Sequence, residues 1–145
     1  MKPKWWNKSR SYLIKKDKVI SKLIKSYKGH LTTRNNFFYS LTRSIISQQI
    51  SVAAADSVFS KFEKKCKNKI NPKTVQKLSI QDLKKCGLSK MKAIGIKSLA
   101  QKILDKSFNP KLIKKMTDEE AIIYLSSLRQ IGRWSAEMIL IFFYN

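Results

Sequence analysis

Residues that interrupt helices are scarce in this sequence, which has four glycines and three prolines among 145 residues. Sustained alternation of apolar and polar residues, the pattern of half-buried strands, is absent as well. Apolar residues recur instead at helical spacing; one such stripe, for example, predicts a single N-terminal helix from Leu13, Ile20, Ile24 and Tyr27. Several later stripes follow a capping residue: Ser51, Asn71, Ser89 and Thr117. The sequence therefore predicts an all-α fold of about eight helices.

Cysteine and histidine are also rare, and no long apolar run is present. Two cysteines and one histidine do not support a disulfide framework or a metal site, and Cys66 and Cys86 lack zinc-ligand spacing. The longest apolar run, residues 138–144, is far shorter than the about 20 residues of a membrane span. We expect no cofactor, no metal and no membrane partner, and a location in the cytoplasm (with the nucleoid in a bacterium) or in a eukaryotic nucleus.

Acidic residues are scarce as well. The sequence has nine Asp and Glu and 31 Lys and Arg, which gives a formal net charge of +22. A small domain with this charge is tolerated most easily beside a polyanion, nucleic acid first and an acidic membrane surface second. AT-rich coding would also raise the lysine content but would leave the shortage of acids unexplained. The 43% of hydrophobic residues suffices for a core, so we expect one folded helical domain over residues 1–145.

The most informative local pattern lies near the C-terminal end. Residues 125–143 read LSSLRQIGRWSAEMILIFF, an apolar helix end, a short turn closed by Gly132 and a second helix. This pattern predicts a helix-hairpin-helix over about residues 118–144, whose turn offers backbone N–H groups to a phosphate without reading a base. An ordinary corner between packed helices has the same pattern, so the hairpin alone leaves both interpretations open.

Three segments together resemble the DNA-3-methyladenine glycosylase II family of the helix-hairpin-helix DNA glycosylase superfamily. Residues 131–142, IGRWSAEMILIF, are similar to the family's hairpin pattern, close to Gly-Ile-Gly-x-Trp-Thr-Ala. Residues 37–62 contain QQIS before an alanine-rich helix and resemble its Gln-Gln-Leu-Ser segment, and residues 87–100, GLSKMKAIGIKSLA, resemble its Gly-Leu-Ser-x-x-Lys helix. The resemblance implies the glycosylase fold and action on damaged double-stranded DNA, and we expect the full-length protein to be a monomer.

The resemblance also implies DNA contacts residue by residue. Gln48 and Gln49 fall where the superfamily places the side chain that fills the gap left by a flipped nucleotide, and Gln49 is the closer match. A helix-capping role explains Gln48 nearly as well. The implied DNA-binding set is Gln48, Gln49, Ser51, Arg129, Gln130, Ile131, Gly132 and Arg133. Gln130 replaces the first glycine of the family's turn and lacks its freedom at positive φ, so we expect an altered or weakened turn.

Trp134 falls where superfamily members that also cut the DNA backbone carry a Schiff-base lysine. Because a Trp has no nucleophilic nitrogen, the resemblance implies a monofunctional enzyme that hydrolyses the N-glycosidic bond of alkylated purines such as 3-methyladenine in base-excision repair. The indole would also attract a cationic purine, although packing of the hairpin against the core is an alternative role. Met138, one helical turn on, is the second implied substrate contact, and core packing is the favoured explanation for it.

The family's catalytic carboxylate is an Asp about twenty residues beyond the hairpin Trp, where it stabilises the oxocarbenium-like sugar. We expect that Asp to lie beyond Asn145, so that the chain is a C-terminally truncated and inactive part of a longer glycosylase. Residues 138–143 are apolar on all sides of a helix, as expected for a helix that is covered by further residues of a longer protein or by helices supplied from elsewhere. Two alternatives remain: a non-catalytic helix-hairpin-helix DNA-binding module, and a basic RNA-binding or ribosome-associated protein.

Overall fold

Helices make up the regular structure of the protein in a computed structural model that describes residues 2–32 and 36–144. Within these ranges there are nine α-helices and no strand. They are α1 (Trp6–Lys16), α2 (Lys18–Ser26), α3 (Phe37–Ser47), α4 (Val52–Lys65), α5 (Pro72–Gln76), α6 (Ile80–Lys85), α7 (Lys90–Leu104), α8 (Asp118–Ser126) and α9 (Arg133–Ile139). A 3₁₀ segment, Pro110–Lys115, precedes α8, and a π-helical segment, Leu140–Tyr144, continues α9. The predicted all-α class is confirmed, and no helix of the described residues has the length and apolar character to cross a membrane.

The prediction of a single N-terminal helix is wrong, because the structure has two helices there, separated at Asp17. Asp17 adopts an extended backbone, with φ −137° and ψ 122°. Its carboxylate accepts hydrogen bonds of 2.8 Å from the N–H groups of both Val19 and Ile20, which makes it the N-cap of α2. The apolar stripe therefore spans two helices, α1 and α2, that pack on each other.

The other helix starts lie where the capping residues predict them. Ser51, Asn71, Ser89 and Thr117 each accept a hydrogen bond from a backbone N–H three residues on. Ser79 and Asp82 form a capping box at α6, and Thr117 and Glu120 form another at α8. Asp82 also pairs with Lys65 at 2.8 Å, and hydrogen bonds from Lys65 and Ser79 hold the pKa of its carboxyl well below the ordinary value.

One apolar core joins α3 to α9, with α7 near its middle. Its fully buried side chains include Leu41, Ile45, Phe62, Leu83, Ile96 and Leu125. Helix α7 packs on α3, α5 and α6, while α8 and α9 pack on each other and α9 also contacts α3. The core thus fixes α3 and α7 relative to the α8–α9 hairpin.

Phe62 provides a test of this core, because its side chain is fully buried and lies beside the Phe59 ring. Phe62→Ala should lower the free energy of unfolding by about 3–5 kcal/mol, since it adds a cavity to the lost burial. Val52→Ala, on the same helix at a side chain that is 78% exposed, is the matched control; it should change stability by less than about 0.5 kcal/mol. Urea denaturation followed by circular dichroism measures both, and equal losses would contradict the core assignment.

Candidate nucleic-acid interface

The hairpin turn, residues 127–132, connects α8 to α9 as the sequence predicts. Gln130 has a φ of 69°, so a glutamine adopts the left-handed conformation that favours glycine. This conformation costs a non-glycine residue about 1–2 kcal/mol. The N–H of Ile131 donates to the Leu128 carbonyl at 3.1 Å. The hairpin turn is therefore formed with Gln130 in place, and the expected alteration takes the form of local backbone strain.

Two neighbouring elements hold Gln130 in this conformation. The Nε2 atom of Gln48, at the end of α3, donates a hydrogen bond of 2.7 Å to the Gln130 carbonyl. Helix α7 approaches from another side at Gly95, where a Cβ atom would lie 2.7 Å from Cγ of Gln130. Because real Cβ atoms do not come that close to a side chain, this approach requires glycine at position 95.

The first turn of α9 presents an open backbone surface. The N–H groups of Gly132, Arg133 and Trp134 occupy positions at which a helix supplies no carbonyl acceptor. Gly132 caps the helix without a side-chain hydrogen bond, and a Cβ atom there would meet nothing within 4 Å. A phosphate oxygen can therefore approach these groups. Ile131 differs, because its side chain is buried and its N–H is bonded to Leu128, so it supports the hairpin turn from inside.

The two arginines of the hairpin have different surroundings. Arg133 makes hydrogen bonds of 2.7 and 2.8 Å to the Glu119 carboxylate and one of 3.0 Å to Glu137. These bonds raise the pKa of Arg133, and the Arg133 guanidinium lowers that of Glu119. Arg129 is exposed and contacts the Met91 sulfur at 4.0 Å; among the described residues it has no acidic partner. Arg129 is thus the freer of the two cations for a phosphate.

The wedge turn, residues 48–51, joins α3 to α4. Its two glutamines, Gln48 and Gln49, have different surroundings. Gln48 is half-buried and its side chain is committed to the Gln130 carbonyl. Gln49 is exposed, with a φ of 56°, and it remains the candidate for the residue that enters the duplex. Ser51 accepts a hydrogen bond of 3.2 Å from the Ala54 N–H, so its hydroxyl serves the start of α4.

Lys92 belongs to this interface but was not among the predicted site residues. Its ammonium donates hydrogen bonds to the carbonyl oxygens of Ile46, at 2.9 Å, and Gln48, at 2.7 Å. Partial burial lowers the pKa of Lys92. The Gly-Leu-Ser-x-x-Lys similarity does mark this position. Its neighbours Lys90 and Lys97 make it look like one more surface lysine, so the sequence alone does not reveal its partners.

A single groove of about 570 Å³, the wedge–hairpin groove, brings these parts together. It is lined by Gln48, Gln49, Ser89, Met91, Lys92, Gln130 and Trp134. Trp134 is 68% exposed, so packing against the core does not account for its indole. Met138 is half-buried and lines a different groove between α8, α9 and the 3₁₀ segment, so the structure does not bring it together with Trp134. No acidic residue of the described ranges lines the wedge–hairpin groove.

Comparison with known proteins gives matches over most of the chain. Residues 42–139 match the model of the HhH-GPD superfamily of base excision DNA repair proteins. The alkylbase DNA glycosidase-like protein mag2 of Schizosaccharomyces pombe is 35% identical over 106 residues, 70% of this chain and 50% of that protein. DNA-3-methyladenine glycosylase 1 of the same yeast is 29% identical over 132 residues, 88% of this chain and 58% of that protein. The chain thus spans about half the length of these relatives.

Solved structures match the fold. The 3-methyladenine DNA glycosylase Mag1 of Schizosaccharomyces pombe, in complex with abasic DNA, has a TM-score of 0.81 at 26% identity and covers 95% of this chain and 70% of its own. The DNA-3-methyladenine glycosidase of Bacillus halodurans has a TM-score of 0.74 at 27% identity, over 79% of this chain and 54% of its own. With two thirds of its residues matched by the family model, and with the hairpin formed as the fold requires, the chain belongs to the HhH-GPD superfamily of base excision DNA repair proteins.

Proposed function

We propose that this protein acts on damaged double-stranded DNA, as the DNA-binding and base-recognition part of a monofunctional glycosylase that excises alkylated purines such as 3-methyladenine. The observation that carries the proposal is the wedge–hairpin groove, in which exposed Gln49 and Trp134 lie beside the open hairpin turn. Relatives named as alkylbase and 3-methyladenine glycosylases, and a similar structure in complex with abasic DNA, support the same substrate class.

Binding of the DNA backbone is assigned to the hairpin turn. The free N–H groups at Gly132 to Trp134 donate hydrogen bonds to one phosphate, and Arg129 of the same turn adds a positive charge. Contacts to phosphates carry no sequence information, which suits an enzyme that meets damage in any sequence context. The net charge of +22 adds long-range attraction for the duplex.

Base flipping is assigned to the wedge turn. Extruding a nucleotide costs a few kcal/mol of lost stacking and pairing, and a side chain that fills the gap offsets part of this cost. Gln49 is exposed at the tip of the wedge turn, where its amide has both donors and an acceptor for the base left unpaired. Gln48 does not compete for this role, because its own amide is bonded to Gln130.

Recognition of the extruded base is assigned to Trp134. Alkylation at a ring nitrogen gives a purine a positive charge, and an indole face attracts such a cation by about 0.5–2 kcal/mol. Normal purines are neutral and gain only the stacking part of this attraction. Since Trp134 has no amine to attack the sugar, the product is an abasic site with an intact backbone.

Hydrolysis itself needs a carboxylate that faces the positively charged sugar. The hairpin's Glu119 and Glu137 are both bonded to Arg133, and no described acid lines the wedge–hairpin groove. We place the catalytic Asp outside the described residues. On this proposal residues 1–145 alone bind damaged duplexes without releasing a base, and a product of the reading frame that includes the Asp releases it.

The proposal is tested by duplex binding and base release together. Residues 1–145 should bind a duplex with a tetrahydrofuran abasic site about tenfold more tightly than the undamaged duplex. The longer product should release 3-methyladenine from methylated DNA. Equal binding of both duplexes, and a longer product that releases no base, would favour a non-catalytic DNA-binding module. No preference for duplex DNA over structured RNA at matched salt would favour an RNA-binding protein.

Trp134→Ala is expected to separate base recognition from backbone binding. In the longer product it should slow release of 3-methyladenine by about tenfold or more, because the cation loses its aromatic partner. Affinity for undamaged duplex should stay unchanged. Ile123→Ala on α8 is the control, because it removes another exposed apolar side chain of the hairpin, 66% exposed, outside the wedge–hairpin groove. Unchanged release by the Trp134 variant would contradict the stacking role.

Gly132→Leu is expected to block the hairpin turn without disturbing the fold. Gly132 has a φ of −96° and open space above it, so leucine is accommodated while covering the neighbouring N–H groups. Duplex affinity measured by fluorescence anisotropy should fall about tenfold, with the unfolding free energy changed by less than about 0.5 kcal/mol. Gly29→Leu is the matched control, because a Cβ atom there also meets nothing within 4 Å. Equal affinity losses in both variants would rule out phosphate binding at the hairpin.

A further inference from the structure

Two sets of hydrogen bonds meet at the wedge turn: Lys92 ties the turn to α7, and Gln48 ties it to the hairpin turn. The Lys92 ammonium donates to the carbonyls of Ile46 and Gln48, at 2.9 and 2.7 Å, where α3 ends and the wedge turn begins. The side chain of Gln48 donates to the carbonyl of Gln130 in the hairpin turn at 2.7 Å. Three segments far apart in sequence are joined in this way along the lining of the wedge–hairpin groove.

The same face of α7 also fixes the hairpin turn directly. Gly95 lies three residues after Lys92, so the two positions are neighbours on the helix surface. At Gly95 the helix backbone packs against the Gln130 side chain so closely that a Cβ atom would be 2.7 Å from its Cγ. Gln49 and Gln130 both have positive φ, 56° and 69°, which costs a non-glycine residue about 1–2 kcal/mol, so contacts that hold the two turns in place favour these conformations. Helix α7 supplies such contacts, through Lys92 to the wedge turn and through Gly95 to the hairpin turn.

Lys97 uses the same chemistry elsewhere in the fold. Its ammonium donates to the carbonyl of Gln76, the last residue of α5, at 2.9 Å, and to that of Leu78, two residues on, at 2.5 Å. A lysine that satisfies the last carbonyls of a helix stabilises that end through hydrogen bonds and the helix dipole. The two lysines therefore form a matched pair, of which only Lys92 lines the wedge–hairpin groove.

We propose that Lys92 is a positioning residue that holds the wedge turn in register with the hairpin turn, so that a phosphate bound at the hairpin sets the depth at which Gln49 enters the duplex. The inference rests on the proposed function for the entry of Gln49, but it does not depend on base release. Without Lys92 the hairpin still binds the DNA backbone, while the wedge turn loses its bonds to α7 and keeps only the Gln48 hydrogen bond to the hairpin, so its position relative to the hairpin is less firmly fixed.

The test measures insertion and affinity on one duplex. A tetrahydrofuran abasic site is placed beside 2-aminopurine, whose fluorescence rises when insertion of a side chain unstacks it, and affinity is measured by anisotropy. For Lys92→Met we expect the fluorescence change at saturation to fall at least about fivefold while Kd changes less than about threefold. Lys92→Arg should restore at least about half of the signal, because a guanidinium donates to two carbonyls.

Two further variants separate positioning from general loosening. Lys97→Met removes equivalent hydrogen bonds at α5 and should keep the full fluorescence change despite a similar loss of unfolding stability. Gln48→Leu cuts only the link to Gln130 and should reproduce the Lys92→Met result, with the double variant no worse than either single one. The Gln48→Leu variant keeps the proposal testable if Lys92→Met fails to fold.

The outcomes that overturn the proposal are specific. The first is a full fluorescence change in both Lys92→Met and Gln48→Leu. The second is a loss of the fluorescence change in Lys97→Met equal to that in Lys92→Met. The third is a fall in the duplex affinity of Lys92→Met and in its salt dependence, which would mark a direct phosphate contact. Wild-type protein that binds the duplex without any fluorescence change overturns it as well. If wild-type protein shows the change but the longer product releases no base, the proposed catalytic function fails while the role of Lys92 stands on its variants.

Discussion

The carbonyl groups at the end of α3 are the point on which the interface depends. A helix leaves its last four carbonyls without partners, and burial of such groups is costly unless donors reach them. Here the donor is an ammonium from α7, on Ile46 and Gln48. Because the chain reverses immediately afterwards into α4, the bond that satisfies the helix end also sets the position of Gln49. A requirement of secondary structure and a requirement of DNA binding are thus met by the same atoms.

The distribution of the few acidic residues explains how the high positive charge is compatible with a folded chain. Seven of the nine are engaged locally: Asp17 and Glu120 at helix starts, Asp56 with Arg43, Asp82 with Ser79 and Lys65, Asp105 with Ser107, and Glu119 and Glu137 with Arg133. Almost no acid is left to neutralise the remaining lysines. The folded surface therefore keeps most of its positive potential for an anionic partner.

Local features of the sequence predict most of the helices. The contacts of the candidate site that the sequence did not predict join residues far apart in the chain. Capping residues followed by apolar stripes place the starts of α4 to α8, because the cap hydrogen bond joins residues only three apart. Asp17 was missed because the apolar stripe continues across it. The partner of Gln48 lies 82 residues away and that of Lys92 lies 44 to 46 away, so no local pattern marks them as bonded. The resemblance to the glycosylases brought out Gln49 and Trp134, which the structure places in one groove, whereas Met138 lies in another.

The close approach of α7 to the hairpin turn has a consequence for how such sequences vary. A side chain at position 130 occupies the space that a side chain at position 95 would need, since a Cβ atom on Gly95 would be 2.7 Å from Gln130 Cγ. Glycine at position 130, as in the family's hairpin pattern, would have two effects. It would relieve the strain of the positive φ, and it would remove the side chain that occupies the space beside Gly95. The two positions are therefore expected to change as a pair, because a chain with a bulky residue at one of them needs glycine at the other. A substitution in the hairpin turn thus restricts which residues α7 can carry at position 95.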